Sequence, residues 1–544
     1  MPQSPVCVIL AAGTCLLLGS TAYAQNGQPC PRFAAGSTIV EPQDLYSSKG
    51  VLRLNLTYQT RVDSNGNTLY CFTMPDGTQS PTLHVWPGDE LIINFKNGLP
   101  PAQSSTSHHA MAGMVVTESA SNMCGALVMD DTSVNIHYHG TNTSPACHQD
   151  EVIRTLVNAG QSFQYDLQFP SDEPPGLYWY HPHVHGIAEA AVQGGASGAI
   201  VVEGIENANP AVAGLPARII LVRDNNVPGS PTPGGAIPSW DVSVNYAPIP
   251  FPNYPPVVAP MKPLEKQFWR VANASADTIL DLQLQYDGKI QPLQIVALDG
   301  VPTGSQDGTT PGTIITQSDV VVPPAGRVEF ILTGPASTVK NAELLTLNVN
   351  TGPGGDDDPQ RPLIAITTSP TAPEPPLTIP AASTAVGHAL RFAGLEKAQV
   401  TTTRQLYFSE VLSNPADPAS PTNFFITVNG ATPVLFDPNN PPAITTTQGS
   451  VEDWTIENRT MENHEFHMHQ IHFLLLAQNG KAVSNGQYLD MIQVPYWKGE
   501  GPYPSVTVRM DFRGPDIGDF VYHCHILGHE DNGMMAIIHV NPAP

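Results

Sequence analysis

Residues 522–535 read YHCHILGHEDNGMM: Cys524 stands between His523 and His525, His529 follows it by five residues and Met534 by ten. On a β-strand, residues i and i+2 share a face, roughly 7 Å apart along the chain, and the residue between them faces the other way. His523 and His525 then point to one side of a sheet and Cys524 to the other. This segment therefore asks for a sheet with a binding site on each face.

The rest of the chain supplies such sheets. Apolar runs bounded by Gly, Pro and Asn at 90–95, 198–203, 219–222, 328–332 and 536–540 read as strands. No long stretch keeps a helical period. With 45 glycines and 55 prolines, the composition favours turns and short strands over long helices. The expected fold class is all-β. Three segments share one outline of turn, alternating strand and Asn: VWPGDELIINFKNGLP (85–100), PLEKQFWRVANAS (263–275) and TTQGSVEDWTIENRT (446–460). The repeat predicts three copies of one β-sandwich. Joints are expected near 205–216 and in the Pro-rich stretch 352–380, which includes TAPEPPLTIP. The domains are then about 40–206, 207–365 and 382–544, with a connector at 366–381.

Residues 1–24 read as a secretory signal, with an apolar run from Val6 to Leu18 and the cleavage pattern Ala22-Tyr23-Ala24, although no Lys or Arg precedes the run. The run is short for a membrane anchor. The expected location is secreted or periplasmic. Removal leaves about 520 residues, enough for three or so domains at ~150 residues each. The 23 basic and 48 acidic residues give a formal charge of −25. That argues against nucleic acid or an anionic membrane as partner. It suits neutral or cationic substrates, or simply keeps a secreted protein soluble. A monomer is the default.

Cys7 and Cys15 leave with the signal, so Cys30, Cys71, Cys124, Cys147 and Cys524 remain. An odd count in an oxidising compartment gives one thiol another task, and the flanking histidines point to Cys524. The other four allow three pairings, which sequence does not choose between; we favour Cys30–Cys71 with Cys124–Cys147.

Chance placement of the eighteen histidines gives His-x-His about 0.6 times. Five such pairs occur, four of them in separate segments: HYHG (His137, His139), WYHPHVHG (His181, His183), HEFHMH (His467, His469) and HCH (His523, His525). Each pair can turn two imidazoles toward one metal cluster. Two pairs lie early and two late, so the cluster is expected where the first and third domains meet. Cys524, pointing away, joins a second site with His464, His529 and Met534, the ligand set of a blue-copper centre. A zinc site would want four ligands at closed spacing, and a passive His-rich tract would be locally clustered. Neither fits.

The four motifs resemble those of the multicopper oxidases in order and internal spacing, as do WPGDELIINFKN and the RVANAS…ALDG region (270–300). The resemblance covers essentially the whole mature chain. HPHVHG and HEDNGMM look closer to bacterial three-domain, laccase-like members. It implies three cupredoxin-like Greek-key domains and four copper ions. The type 1 ion would be held by His464, Cys524 and His529 with Met534 axial, Met535 being the alternative. The type 2 ion would take His137 and His467. One type 3 ion would take His139, His181 and His525, the other His183, His469 and His523. Asp150 and Glu530 would relay protons, or only hydrogen-bond to ligands. His148, His185 and His472 read as structural.

The implied activity is one-electron oxidation of phenols or aromatic amines coupled to four-electron reduction of dioxygen to water, with the electron entering at His529. Alternatives are a cuprous-ion oxidase, a bilirubin-type oxidase and a non-enzymatic copper carrier. For the first, His108, His109, Met111, Met114, Met123 and Met129 (108–131) offer soft ligands, against the commoner reading of methionines as packing filler. Asn55, Asn142, Asn273 and Asn458 stand in N-x-[ST] sequons.

Overall fold

A computed structural model of the protein describes residues 28–101, 124–227, 237–304, 312–379, 391–417 and 419–544. The signal read at 1–24, His108, His109, Met111, Met114 and Met123, and residues 380–381 of the connector lie outside the described residues.

Among the described residues the fold is nearly all β, and six sheets pair into three sandwiches. In the first, the sheet carrying Thr82–Val85, Gly198–Val202, Gly176–His181 and His137–His139 covers the sheet of Thr68–Thr73, Val51–Val62, Glu90–Asn97 and Ser162–Gln168. The strand Val51–Val62 shows why it packs: Leu52, Leu54, Leu56 and Tyr58 are buried in strict alternation, each apolar side chain contributing about 1.5–3 kcal/mol when removed from water. The second sandwich spans Ala217–Thr368 in its strands and the third Thr402–Asn541. Each closes on its own apolar core.

The three repeat segments become equivalent strands, Glu90–Asn97, Lys266–Asn273 and Val451–Asn458. Each pairs parallel with one neighbour and antiparallel with another. The closing asparagine does the same work in every copy. Asn97 donates to the carbonyls of Thr132 and Val157, Asn273 to those of Thr278 and Val322, and Asn458 to those of Glu462 and Val494. Carbonyls buried without such a donor would cost about 1–3 kcal/mol each. The sequons at Asn142, Asn273 and Asn458 are consequently buried, with their side-chain amides hydrogen-bonded inside the protein, whereas Asn55 is exposed.

The Pro-rich stretch is less of a linker than its composition suggests. Arg361–Thr368 is a strand of the second sandwich, paired with Ala342–Thr346 and Val257–Met261. Beyond it, Leu377 bridges to Pro216 and Thr378 donates to Leu215. Cys30 is bonded to Cys71 and Cys124 to Cys147, while Cys524 is a buried free thiol. All three sandwiches meet where Ala188 and Val192 pack on Ala276 and Leu527. Asp531 reinforces this junction by accepting from the backbone N–H groups of Gly186 and Glu189.

Candidate metal centres

Register sorts the side chains. The strand His137–His139 lies antiparallel to Gly176–His181, with His137 opposite His181 and His139 opposite Trp179. Opposite residues share a face, so Tyr138 and Tyr180 enter the first core and the histidines leave from the other side. In the third sandwich, His464–Met468 lies antiparallel to Gly518–Cys524, with His467 opposite His523 and Phe466 opposite Cys524. Phe466, Met468, Tyr522 and Cys524 enter the third core. The histidine faces of the two sandwiches meet: His137 stacks on His469 at 3.9 Å between ring centroids, and His139 on His467 at 4.0 Å.

Eight histidines thus form one buried cluster, each no more than 1% exposed. His183 Nε2 and His469 Nε2 lie 3.3 and 3.1 Å from His523 Nε2. His139, His181 and His525 form a second group, with centroids 5.0–5.8 Å apart. Four rings are oriented through Nδ1: His137 by Asp150 at 2.9 Å, His181 by the Pro182 carbonyl, His467 by the Asp490 carbonyl and His523 by the Cys524 carbonyl. Their Nε2 atoms face inward. Burial first, then neighbouring imidazoles, holds these rings well below the ordinary histidine pKa; for His467, burial is partly offset by Asp490 and the value falls to about 4. They are neutral, the form that offers a lone pair to a metal.

The second group lies on the opposite face of the Cys524 strand. Cys524 Sγ is 3.6 Å from His464 Nδ1 and 3.7 Å from His529 Nδ1, and those two nitrogens are 3.0 Å apart. The helix Leu527–Asp531 turns the chain after Cys524 and brings His529 back to it. Met534 is buried in the same core as Cys524, whereas Met535 packs with Val152, Ile153 and Phe436 at the contact with the first sandwich. Of the two methionines, Met534 shares the thiol's side.

Both acids named from sequence lie at the imidazole cluster. Asp150 also accepts from Tyr138 N and, across the sandwich boundary, from Gln470 Nε2 at 2.7 Å. Glu530 Oε1 and Oε2 lie 3.6 Å from His183 Nδ1 and His523 Nδ1. Burial raises both carboxyl pKa values well above the ordinary range. The three extra histidines stay outside. His148 is exposed and stacks on Phe163, His185 packs edge-on to Phe436, and His472 bonds to the Asp299 carbonyl.

The sequence reading missed Asp490, Arg327 and Glu462. Asp490 Oδ1 is 3.4 Å from His139 Nε2, and its carboxylate is paired with Arg327. Burial would raise the Asp490 pKa, but Arg327 outweighs it and holds the carboxylate below its ordinary range. Glu462 lies 3.5 Å from His529 Nε2. The only signal for Asp490 and Arg327 was a charge inside or at the head of an apolar strand, YLDMIQV and GRVEFIL.

The cluster passes a test for bound metal. His137 Nε2, His467 Nε2, His181 Nε2 and both ring nitrogens of His139 and His525 are buried with no hydrogen-bond partner among the described residues. So many orphaned nitrogens in one place would be costly in a protein interior, and metal ions would satisfy one nitrogen of each ring. The thiol with two imidazoles and a thioether in the same core suits copper in electron transfer. Cupredoxin-like sandwiches carrying a buried thiol centre, bonded through one residue to an imidazole cluster, define a class: oxidases with two separate candidate metal centres.

Comparison with known proteins agrees. Sequence models of the multicopper oxidases match residues 126–207 and 410–544, in the first and third sandwiches. The fold is similar to a variant of the multicopper oxidase McoA from Aquifex aeolicus (TM-score 0.66, 18% identity, 93% of this chain and 99% of that one). It is also similar to a Campylobacter jejuni multicopper oxidase described as a metallo-oxidase (0.65, 21%, 95% and 98%). A third likeness is to the laccase-like CueO of an Ochrobactrum species (0.60, 18%, 92% and 99%). The first and third sandwiches thus carry multicopper oxidase domains, and the fold over nearly the whole chain is that of the multicopper oxidases.

Proposed function

We propose that the protein is a laccase-like oxidase, coupling one-electron oxidation of phenols and aromatic amines to four-electron reduction of dioxygen to water. The observation that carries this reading is the edge of His529. Its Nδ1 faces Cys524, its side chain is 12% exposed, and Phe424 stacks on it at 4.2 Å. Exposed Met461 adjoins Glu462 in sequence, and exposed Leu435 packs at Gly533. An apolar rim with a carboxyl beside the imidazole edge suits an aromatic donor carrying a hydroxyl or amine.

The residues that would hold copper are those the resemblance implies: His464, Cys524, His529 and Met534; His137 and His467; His139, His181 and His525; His183, His469 and His523. Bound copper would supply the one-electron chemistry at the first centre and the electron storage for oxygen reduction at the other three positions. The chain's own residues do the rest. Cys524 is bonded through the backbone to His523 and His525, a short covalent route between the centres. Asp150 fixes the tautomer of His137. Glu530, buried with both oxygens unpartnered among the described residues, holds a proton beside His183 and His523. Two disulfides fit an oxidising, secreted or periplasmic setting.

A cuprous-ion oxidase is the second reading, favoured by the exposed thioether of Met461 next to Glu462. Met129 of the soft-ligand segment is buried and does not support it. Oxygen uptake by the copper-loaded protein with a phenol, an aromatic amine and Cu(I), side by side, tests the proposal. Faster uptake with the organic donors is expected. Faster uptake with Cu(I) selects the second reading, and none with any donor leaves a copper carrier.

A further inference from the structure

The middle sandwich supplies none of the proposed ligands, yet one of its side chains reaches the carboxylate beside the imidazole cluster. Arg327, at the head of the strand Arg327–Thr333, is fully buried. All five of its guanidinium N–H groups find acceptors. Nε donates to the Leu177 carbonyl at 3.2 Å, Nη1 to the Ala325 carbonyl and Asp490 Oδ1 at 3.0 and 2.7 Å, and Nη2 to the Asp299 carbonyl at 2.9 Å and to Asp490 Oδ2.

Those partners belong to all three sandwiches, and two of them lead to the histidines. Leu177 lies on the strand Gly176–His181, which ends in His181. Asp490 lies 3.4 Å from His139 Nε2 through Oδ1, and its carbonyl accepts from His467 Nδ1 at 2.8 Å. Gly140 marks the same spot from the other side. It follows His139 with φ +81°, and a Cβ there would stand 2.3 Å from Arg327 Nη2 and 2.4 Å from Asp490 Oδ2. The turn leaving the first histidine pair is packed against the ion pair, with no room for a side chain. Asp299 completes the frame, its carboxylate accepting from the backbone N–H groups of Arg327, Asp490 and Met491.

We infer that Arg327 is a positioning residue for the imidazole cluster: by fixing Asp490 and the backbone at Leu177 and Gly140, it sets His139, His181 and His467 from the middle sandwich. This rests on the reading of the cluster as a copper site. A planar five-donor fork is what the position uses, and lysine cannot reproduce it.

The competing reading is an ion pair that merely holds the sandwiches together. Arg327→Lys keeps the charge and loses the fork, and Asp490→Asn keeps the shape and loses the charge. Arg154→Lys serves as control, since Arg154 makes a different ion pair, with Asp519, across the first and third sandwiches. Each variant is copper-loaded and dialysed against a chelator. Copper content and the type 2 electron-spin signal are then read per blue centre, so misfolded protein does not enter the ratio. The proposal expects Arg327→Lys and Asp490→Asn to retain blue colour while cluster copper affinity falls by about 10–100-fold. The control should keep its full ratio. A full complement in both cluster-side variants, or an equal loss in the control, overturns it. If the wild type itself holds no copper beyond the blue centre, the cluster reading fails instead, and the two failures are told apart.

Discussion

The two candidate centres sit back to back on one strand but are built differently. Cys524, His464, His529 and Met534 all come from the third sandwich, within 71 residues of sequence at His464–Met534, and pack into or beside its core. The imidazole cluster draws four histidines from each outer sandwich and is braced by Arg327 from the middle one. The first centre is a property of one folded unit. The second forms only when the two outer units are docked, and on the inference above the middle one steadies it. The thiol centre therefore needs local order, whereas the imidazole cluster needs docked sandwiches.

The largest expected effect comes from cutting the link. In copper-loaded protein, Cys524→Ser should abolish the blue absorption and the oxidase activity together, while the type 2 signal persists. A blue, active variant would end the assignment of Cys524, and loss of both copper signals would mean that the centres are not separable. A smaller effect is expected from urea. Interfaces between domains are weaker than the cores they join, so the type 2 signal should disappear at lower urea than the blue colour. Simultaneous loss would show that the third sandwich does not stand without its neighbours. The smallest effect is local to the first centre. Met534→Leu should raise its reduction potential at a stability cost below about 1.5 kcal/mol, and Met535→Leu should leave the potential unchanged. The reverse pattern would exchange their roles.

Much of this was legible in the chain because strand parity is a local rule. His-x-His and His-Cys-His declare two faces without knowledge of the neighbours, and the strand-ending asparagines declare three copies of one unit. What stayed hidden depends on contacts between distant segments. Arg327 and Asp490 are 163 residues apart in sequence, and neither stands in a motif. Glu462 meets His529 only once the helix Leu527–Asp531 has formed. That helix is five residues long, too short to show any periodicity, yet it is what returns His529 to the thiol. The strand Arg361–Thr368 was masked by the prolines around it.

The placement of the cysteines along the chain bears on how the protein is made. Cys30, Cys71, Cys124 and Cys147 all precede the lone thiol by several hundred residues and close their bridges within the first sandwich. During synthesis, N-terminal units fold first, so every correct partner can be taken before Cys524 emerges. When it does, its own sandwich contains no other cysteine and buries it completely. Order of emergence and burial together leave this sulfur without a disulfide partner.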